Sequence, residues 1–337
     1  MVDLTQVPDE RLGQTLRLMK AEIIKHGWAA TIPYIGSSHC FIDRGDGKIL
    51  HAFSATPPTT SYAAAHMAND KFATYQLLKT IDAPQLESIL VDDNTPFEEQ
   101  VAFMNSMGTI VAKPVDGGHG NGITVGIQTP EKLQKALAVA KSEQKNIKAT
   151  LLQKQYLHED IHDIRIAVID YKFVAATWRV AARVYGDGKR TIRELIEREN
   201  STEERGKPYF ARLAVIDMAR AEDYLGERID TVPEKEEEVA VLGIANYGAG
   251  GEIIDITDDI PLWLRELAEQ AARTTSLPVV GVDFMLATRP SSKATFDELD
   301  PAITEVNKCP ALSIHDLPTT GKSRGAMATY VNYLATL

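Results

Sequence analysis

The stretch VAKPVDGGHGNGITVGI, Val111 to Ile127, puts five glycines after a lysine. Glycine at this density lets backbone come close to a partner, and bare N–H groups in such a loop suit phosphate. It is not a Walker loop, because Gly122 is followed by Ile-Thr-Val and not by Lys-Ser/Thr opening a helix. No Gly-x-Gly-x-x-Gly run is present either, which disfavours both helix-dipole phosphate sites. What remains is a strand–loop–strand hairpin with Lys113 near the end of its first strand. By itself this is either a phosphate cradle or a flexible hairpin tip. A second constellation bears on the choice. Asp283 interrupts the apolar run VVGVDFML, and Glu305 and Asn307 lie two apart in ITEVNK, so one strand face carries both. Two carboxylates and an amide oxygen are hard donors of the kind Mg²⁺ takes beside nucleotide phosphates. An acid in an otherwise apolar strand needs a partner or a metal. The alternative is a row of solvent-facing polar residues on an edge strand. Alternation puts Ile303 on the face of Glu305, with Thr304 and Val306 opposite, and does not say which face is buried.

These residues need elements to hold them. Apolar spacing predicts a helix over 9–27, through Leu12, Leu16, Leu18, Met19, Ile23 and Ile24. Strands TIPYIG and SHCFID follow, the second joined to KILHAFSA by the hairpin turn Arg44–Lys48. One helix is expected through YAAAHMANDKFATYQLLKTI, and others over 97–106 and 130–145. Strands over 109–114 and 122–127 flank the glycine loop. From 149 the chain is strand-rich: ATLLQKQYL, DIRIAVID and KFVAATWRVA. Thr191 and Glu194 have capping-box spacing before a helix. Residues 205–238 read as a solvated excursion with one or two helices, and PEKEEE as its surface. The end reads as strands EVAVLGIA and GEIIDIT, a helix over 261–275, strand VVGVDFML, a polar hairpin tip RPSSKATFDELDP, strand AITEVNK and a terminal helix. No internal repeat is present. Strands outnumber crossover helices, so the sheets should be antiparallel or mixed, in α+β layers.

Composition narrows the class. The chain has 337 residues, 44% of them hydrophobic, with 36 basic and 47 acidic side chains for a net charge of -11. That balance argues against general nucleic-acid binding. Two cysteines, Cys40 and Cys309, offer neither metal spacing nor a disulfide framework. The N-terminus lacks the marks of a signal peptide, and no apolar run is long enough for a membrane span. A cytoplasmic protein with no membrane partner is the expectation.

In order along the chain, these motifs resemble the ATP-grasp superfamily, and in particular the ATP-grasp domain of cyanophycin synthetases and the C-terminal domain of bifunctional glutathione synthetases. TSYAAAHMANDKFATYQLLKTIDAP looks like the segment that introduces the family's first nucleotide lysine, here Lys71. VAKPVDGGHGNGITVGI looks like the segment with the second, here Lys113. DIRIAVIDYKFVAATWRVAARVYGDGKRTIRELIE, ANYGAGGEIIDIT, VGVDFML and ITEVNKCPALSIHDLPTTGKSR complete the series. The resemblance implies an α+β fold of two subdomains clamping ATP. Its divisions would be an N-terminal pre-ATP-grasp segment at 1–66, a lid with the glycine loop at 67–156, and a C-terminal subdomain with magnesium and substrate sites at 157–337.

It also implies an activity: an ADP-forming carboxylate–amine ligase working through an acyl phosphate on an amino acid or small peptide. The rival readings are a small-molecule kinase and a nucleotide-binding module without turnover. Lys71 and Lys113 would hold the α/β-phosphates, and backbone of Gly117, Gly118, His119, Gly120, Asn121 and Gly122 would cover the γ-phosphate. Gln153, Lys154, Tyr156 and Leu157 would seat adenine, with Glu159 or Asp160 on the ribose. Arg165 would contact phosphate or pair with Asp163. Asp283, Glu305 and Asn307 would hold two Mg²⁺, with Mn²⁺ as a substitute. Arg179, with Lys113, Asn246, Gly250 and Gly251, would serve the reacting groups, and Arg183 and His315 stand nearby. Homodimers are common among such ligases and are expected here. Four features depart from the pattern. Gln153 replaces a common Glu, and the span from Tyr156 to Arg165 is slightly long. Asp163–Arg165 looks more like ribosomal-protein glutamate ligases. Asn121 stands at a position that is often basic, and residues 241–246 lack the arginines that often precede Asn246. Substrate identity stays open.

Overall fold

The apolar stripe of the first helix sets how the chain begins. In the computed structural model, which describes residues 1–118, 120–207, 210–243, 245 and 247–337, helix α1 (Gln14–Lys25) buries Leu16, Met19 and Ile23. It is shorter than the spacing suggested. Asp9–Arg11 forms a separate 3₁₀ turn, and Ile24 is 51% exposed. Strands β1 (Val2–Asp3), β2 (Ala29–Ile32), β3 (His39–Asp43) and β4 (Ile49–Phe53) form an antiparallel sheet in that order. The core under it is shared with Ala167, Ile169, Val279 and the C-terminal Tyr330 and Leu334.

The helix expected from Tyr62 is two helices. Asp70 breaks the run: its carboxylate accepts the backbone N–H groups of Phe72 and Ala73, which ends α2 (Tyr62–Met67) and starts α3 (Lys71–Lys79). Next come β5 (Ser88–Val91), α4 (Phe97–Met107), β6 (Ile110–Pro114), β7 (Thr124–Ile127), α5 (Pro130–Ser142) and β8 (Thr150–Lys154). Their four strands pair in the order β5-β8-β6-β7, with the glycine loop joining β6 to β7. Met104, Leu133, Ala136 and Leu152 pack between sheet and helices, leaving the opposite sheet face for Lys113 and Leu151.

The large sheet is built from β9 (His162–Ile169), β10 (Lys172–Val180), β15 (Glu252–Asp255), β16 (Val279–Leu286) and β17 (Ala302–Asn307), in the order β15-β10-β9-β16-β17. All its pairings are antiparallel. One face, with Ile164, Ile166, Val280, Val282 and Phe284, packs on α8 (Leu262–Thr274). Each such fully buried side chain contributes about 1.5–3 kcal/mol. The other face carries the charged residues. Strict alternation fails in β17: Asp283 pairs with Glu305, but Phe284 pairs with Ile303, so Thr304 is an extra residue. The bulge turns Ile303 into the apolar core beside Val306 and away from the face of Glu305.

Between β10 and β15 lies the excursion: β11 (Arg183–Tyr185), α6 (Ile192–Asn200), β12 (Arg205–Gly206), β13 (Leu213–Ala214), α7 (Met218–Leu225) and β14 (Glu238–Ala240). It has a small core of its own, through Leu195, Ile196, Ala221 and Val239. The capping box of Thr191 and Glu194 forms as its spacing predicted. The strand expected over 238–245 stops at Ala240. The expected polar tip holds a short helix, α9 (Phe296–Leu299), with its own capping box of Thr295 and Glu298. Helices α10 (Ser313–Asp316) and α11 (Ala326–Ala335) close the chain. Among the described residues, no helix is long and apolar enough to cross a membrane.

Candidate active site

Two charged groups face the cleft, one from the lid side and one from the large sheet. On the lid side, Lys113 is 8% exposed and its Nζ donates to Gln153 Oε1 at 2.9 Å. Gln153 in turn donates to Ser88 Oγ at 2.9 Å. Burial, helped by nearby Lys71 and opposed by Glu305, pulls the Lys113 pKa down to about 8. Lys71, at the first turn of α3, donates to the Gly117 carbonyl and stands 3.7 Å from Glu305 Oε1. Lys71, Lys113, Gly117, Gly118, Gly120, Asn121 and Glu305 line one pocket. The loop above has a fixed root. Asp116 accepts the N–H groups of Lys145, Asn146 and Ile147. Gly122, at φ +73°, sits where a Cβ would come 2.8 Å from Glu143 Cβ. Composition alone did not single out Asp116, although an acid at the end of a strand before Gly-Gly is a turn signal.

On the sheet side, both carboxylate oxygens of Asp283 are taken. Arg165 donates to it twice, at 2.6 and 2.6 Å, and Arg179 donates to Oδ2 at 2.9 Å. Arg179 also donates to Asp163 at 2.5 Å. Asp163 and Arg165 share a strand face but do not pair, because antiparallel register puts Asp163 opposite Arg179 and Asp283 opposite Arg165. The partners of Arg179 are therefore two acidic side chains. Burial opposes its charge, but Asp283 and Asp163 outweigh that and push its pKa up. Burial raises the pKa of Asp163. Burial would also raise that of Asp283, but its two arginines outweigh this and lower it.

The three oxygen-donor residues lie on alternate rungs of one ladder: Asp283 faces Glu305, and Gly281 faces Asn307, with Val282 opposite Val306 between them. Asn307 Nδ2 is buried without a protein partner. A carboxylate accepts at about four lone-pair sites, so the three arginine bonds leave Asp283 about one. The donor set fits a hard cation, on condition that Asp283 shares with or is released by an arginine. Above this face His315 is 1% exposed, and neither ring nitrogen has a partner. Burial, then Arg165, lowers its pKa to about 3, so it is neutral.

The hinge residues are spread out. Gln153 is committed to Lys113 and Ser88, and Lys154 is exposed. Tyr156 is buried and donates to the Asp300 carbonyl at 2.7 Å, while Leu157, Glu159 and Asp160 are exposed. Lys154, Tyr156 and Leu157 line a cavity of about 440 Å³ with Phe296 and Asp300. On the other side, Gly250 has φ +104°, and a Cβ there would lie 2.7 Å from Ile216 Cα. Arg205, which sequence reasoning passed over, donates to the carbonyls of Gly250 and Ala214, both at 2.9 Å. Gly251 is buried next to it. Arg183 pairs with Glu238 at 2.6 Å. His119 and Asn246 lie outside the described residues.

No family model matches the chain. Cyanophycin synthetase of Crocosphaera subtropica is 31% identical over 343 residues, covering 98% of this chain and 38% of that protein. The glutathione biosynthesis bifunctional protein of Enterococcus faecalis is 32% identical over 220 residues, covering 64% of this chain and 28% of that protein. A bifunctional glutathione synthetase from Pasteurella multocida has the same fold, with a TM-score of 0.68, 23% identity, and coverage of 98% of this chain and 44% of that one. The chain thus spans under two fifths of the curated relatives it matches.

Proposed function

The chain has the ATP-grasp fold, and from that premise we propose that it is a Mg-ATP-dependent carboxylate–amine ligase acting on an amino acid or small peptide. The observation that carries this reading is the meeting of Lys71, Lys113 and Glu305 under the glycine loop, across from the Arg165–Asp283–Arg179 face. Phosphoryl transfer asks a protein for positioning and charge stabilisation above all. Lys71 and Lys113 supply compact positive charge for phosphate oxygens. Backbone N–H groups of the 117–122 loop cover the transferred group and exclude water, which keeps an acyl phosphate from hydrolysis. The substrate carboxylate attacks the γ-phosphorus and ADP leaves. The amine then attacks the acyl carbon, phosphate departs, and the amine loses a proton to solvent. Arg179 stabilises the oxyanion, with the Gly250–Gly251 turn beside it. Asp283, Glu305 and Asn307 would hold Mg²⁺, which neutralises phosphate charge when bound. To hold it, Asp283 would have to give up part of its pairing with Arg165 and Arg179, which would leave those guanidinium groups for anionic substrate groups. Lys154, Tyr156 and Leu157 would seat the base.

The test is mass spectrometry of reactions with Mg-ATP and pooled amino acids and dipeptides. The expected product is lighter than its two parts by one water, with ADP and phosphate released. A product heavier by a phosphoryl group would replace the ligase with a kinase.

A further inference from the structure

The turn that leads into β15 is held by a residue from the other end of the chain. Sheet order puts β17, where Glu305 faces Lys71, at one edge of the large sheet and β15 at the other. Arg179 stands between them on β10, with Ile253 of β15 as its rung partner. On the ligase reading the nucleotide lies toward the β17 edge, which leaves the β15 edge for the small substrate. There the chain passes through a 3₁₀ turn, Tyr247–Ala249, and Gly250–Gly251 into the strand. Residues 211–217 lie directly behind it: a Cβ on Gly250 would come 2.7 Å from Ile216 Cα. This backing segment has little regular pairing, since its strand β13 is two residues long. Side chains hold it in place. Asn200 bonds both the N–H and the carbonyl of Ile216, at 2.7 and 2.9 Å, and Arg205 bridges the Ala214 and Gly250 carbonyls. A further one is Gln14, the first residue of α1, which is 1% exposed. Its Nε2 donates to the Ala211 carbonyl at 2.6 Å and to the Tyr247 hydroxyl at 3.0 Å. The hydroxyl in turn donates to the Arg212 carbonyl at 3.0 Å. One buried amide therefore joins α1, the backing segment and the turn.

We propose that Gln14 is a positioning residue for the small-substrate side of the site: through Tyr247 it fixes the 247–251 turn beside Arg179. The N-terminal segment then sets how tightly the small substrate is held, while the lysines and oxygen donors of the nucleotide side stand on other elements. The side-chain type matters. The amide has two N–H groups, and here they go to a carbonyl and a hydroxyl. Methionine has the length but no donor, and glutamate would set a carboxylate against the Ala211 carbonyl. Either change leaves a buried carbonyl or hydroxyl short of a donor, which loosens the turn against Ile216. Substrate positioning is sensitive to shifts of that kind. The role in substrate binding rests on the ligase reading; the link from Gln14 to the turn does not.

The experiment measures ADP release by the full chain with Mg-ATP and pooled amino acids and dipeptides, varying the pool and the nucleotide in turn. It compares the wild type with Gln14→Met, Tyr247→Phe and the double variant, and follows hydrogen exchange over residues 247–253 in each without nucleotide. Each single variant should raise the half-saturating pool concentration by about fivefold or more, leave that of ATP within about twofold, and speed exchange in the turn. The double variant should be no worse than the poorer single one, because both cut the same link. Should Gln14→Met fail to fold, Tyr247→Phe removes a single oxygen and carries the same test. The proposal falls if pool and ATP saturation shift together, if the two effects add in full, or if exchange in the turn is unchanged. Failure of the ligase reading looks different: the wild type then shows no pool-dependent ADP release, and faster exchange in the turn of both variants still supports the link.

Discussion

The lid side and the sheet side of the cleft hold their cations in opposite ways. Lys113 and Lys71 rest on neutral oxygens, an amide and a carbonyl, with Glu305 no nearer than 3.7 Å. Arg165 and Arg179 are neutralised by the buried Asp283 and the half-buried Asp163. An anion meets on the lid side positive charge opposed only by neutral oxygens and one long ion pair. On the sheet side it must displace an internal acid, so that charge is released only when Asp283 is engaged elsewhere. Burial, with Lys71 nearby, lowers the Lys113 pKa, whereas Asp283 and Asp163 raise that of Arg179 against the opposing effect of burial.

Several variants break or sharpen this contrast. The largest effect belongs to Glu305→Ala, which removes an acid that faces both lysines. ADP release should fall by about a thousandfold or more, with circular dichroism unchanged. Unchanged turnover would remove Glu305 from the cation set. Next is Asp163→Ala, which leaves Arg179 short of one partner in a largely buried site. Urea denaturation should show a loss of about 3 kcal/mol. A loss under about 1 kcal/mol would mean that Asp283 alone suffices for Arg179. Third is a pH effect. The free Lys113 loses its proton as pH rises through about 8, and a bound phosphate restores it, so binding takes up a proton. ATP affinity should therefore be flat below that point and weaken by up to about tenfold per pH unit above it. In Gln153→Glu the added carboxylate raises the Lys113 pKa and moves the break upward. A profile with no break would show Lys113 to be outside the phosphate site. The smallest effect is on stability in Lys71→Ala, at under about 1 kcal/mol by urea, because its ion pair is long and half open to solvent. A loss as large as that of Asp163→Ala would erase the distinction between the two sides.

Much of this molecule was legible along the chain. The glycine hairpin after Lys113, the apolar strand around Asp283, and the capping box at Thr191 and Glu194 all rest on neighbours within a few residues. Local propensity and periodicity act at that range. The break at Asp70 was legible in principle, since Asp before a helical run is a cap signal, but the apolar pattern ran through it. The small helix Phe296–Leu299 was hidden in a segment that read as polar turn, although Thr295 and Glu298 carry capping-box spacing.

The residue types alone set the inventory: a lysine before a glycine-rich loop, a second lysine at a helix start, acids and an amide on late strands, arginines on earlier ones. Only the tertiary structure decided who meets whom. Strand register carried Asp283 to Arg165 and Arg179, more than a hundred residues earlier, and sent Asp163 to Arg179 and not to its own strand neighbour. One inserted residue in β17 turned Ile303 away from Glu305. The folding of the lid laid Gln153 against Lys113. Periodicity shows which side of an element a residue takes. The partner across the gap is set by register and packing, which no local pattern contains.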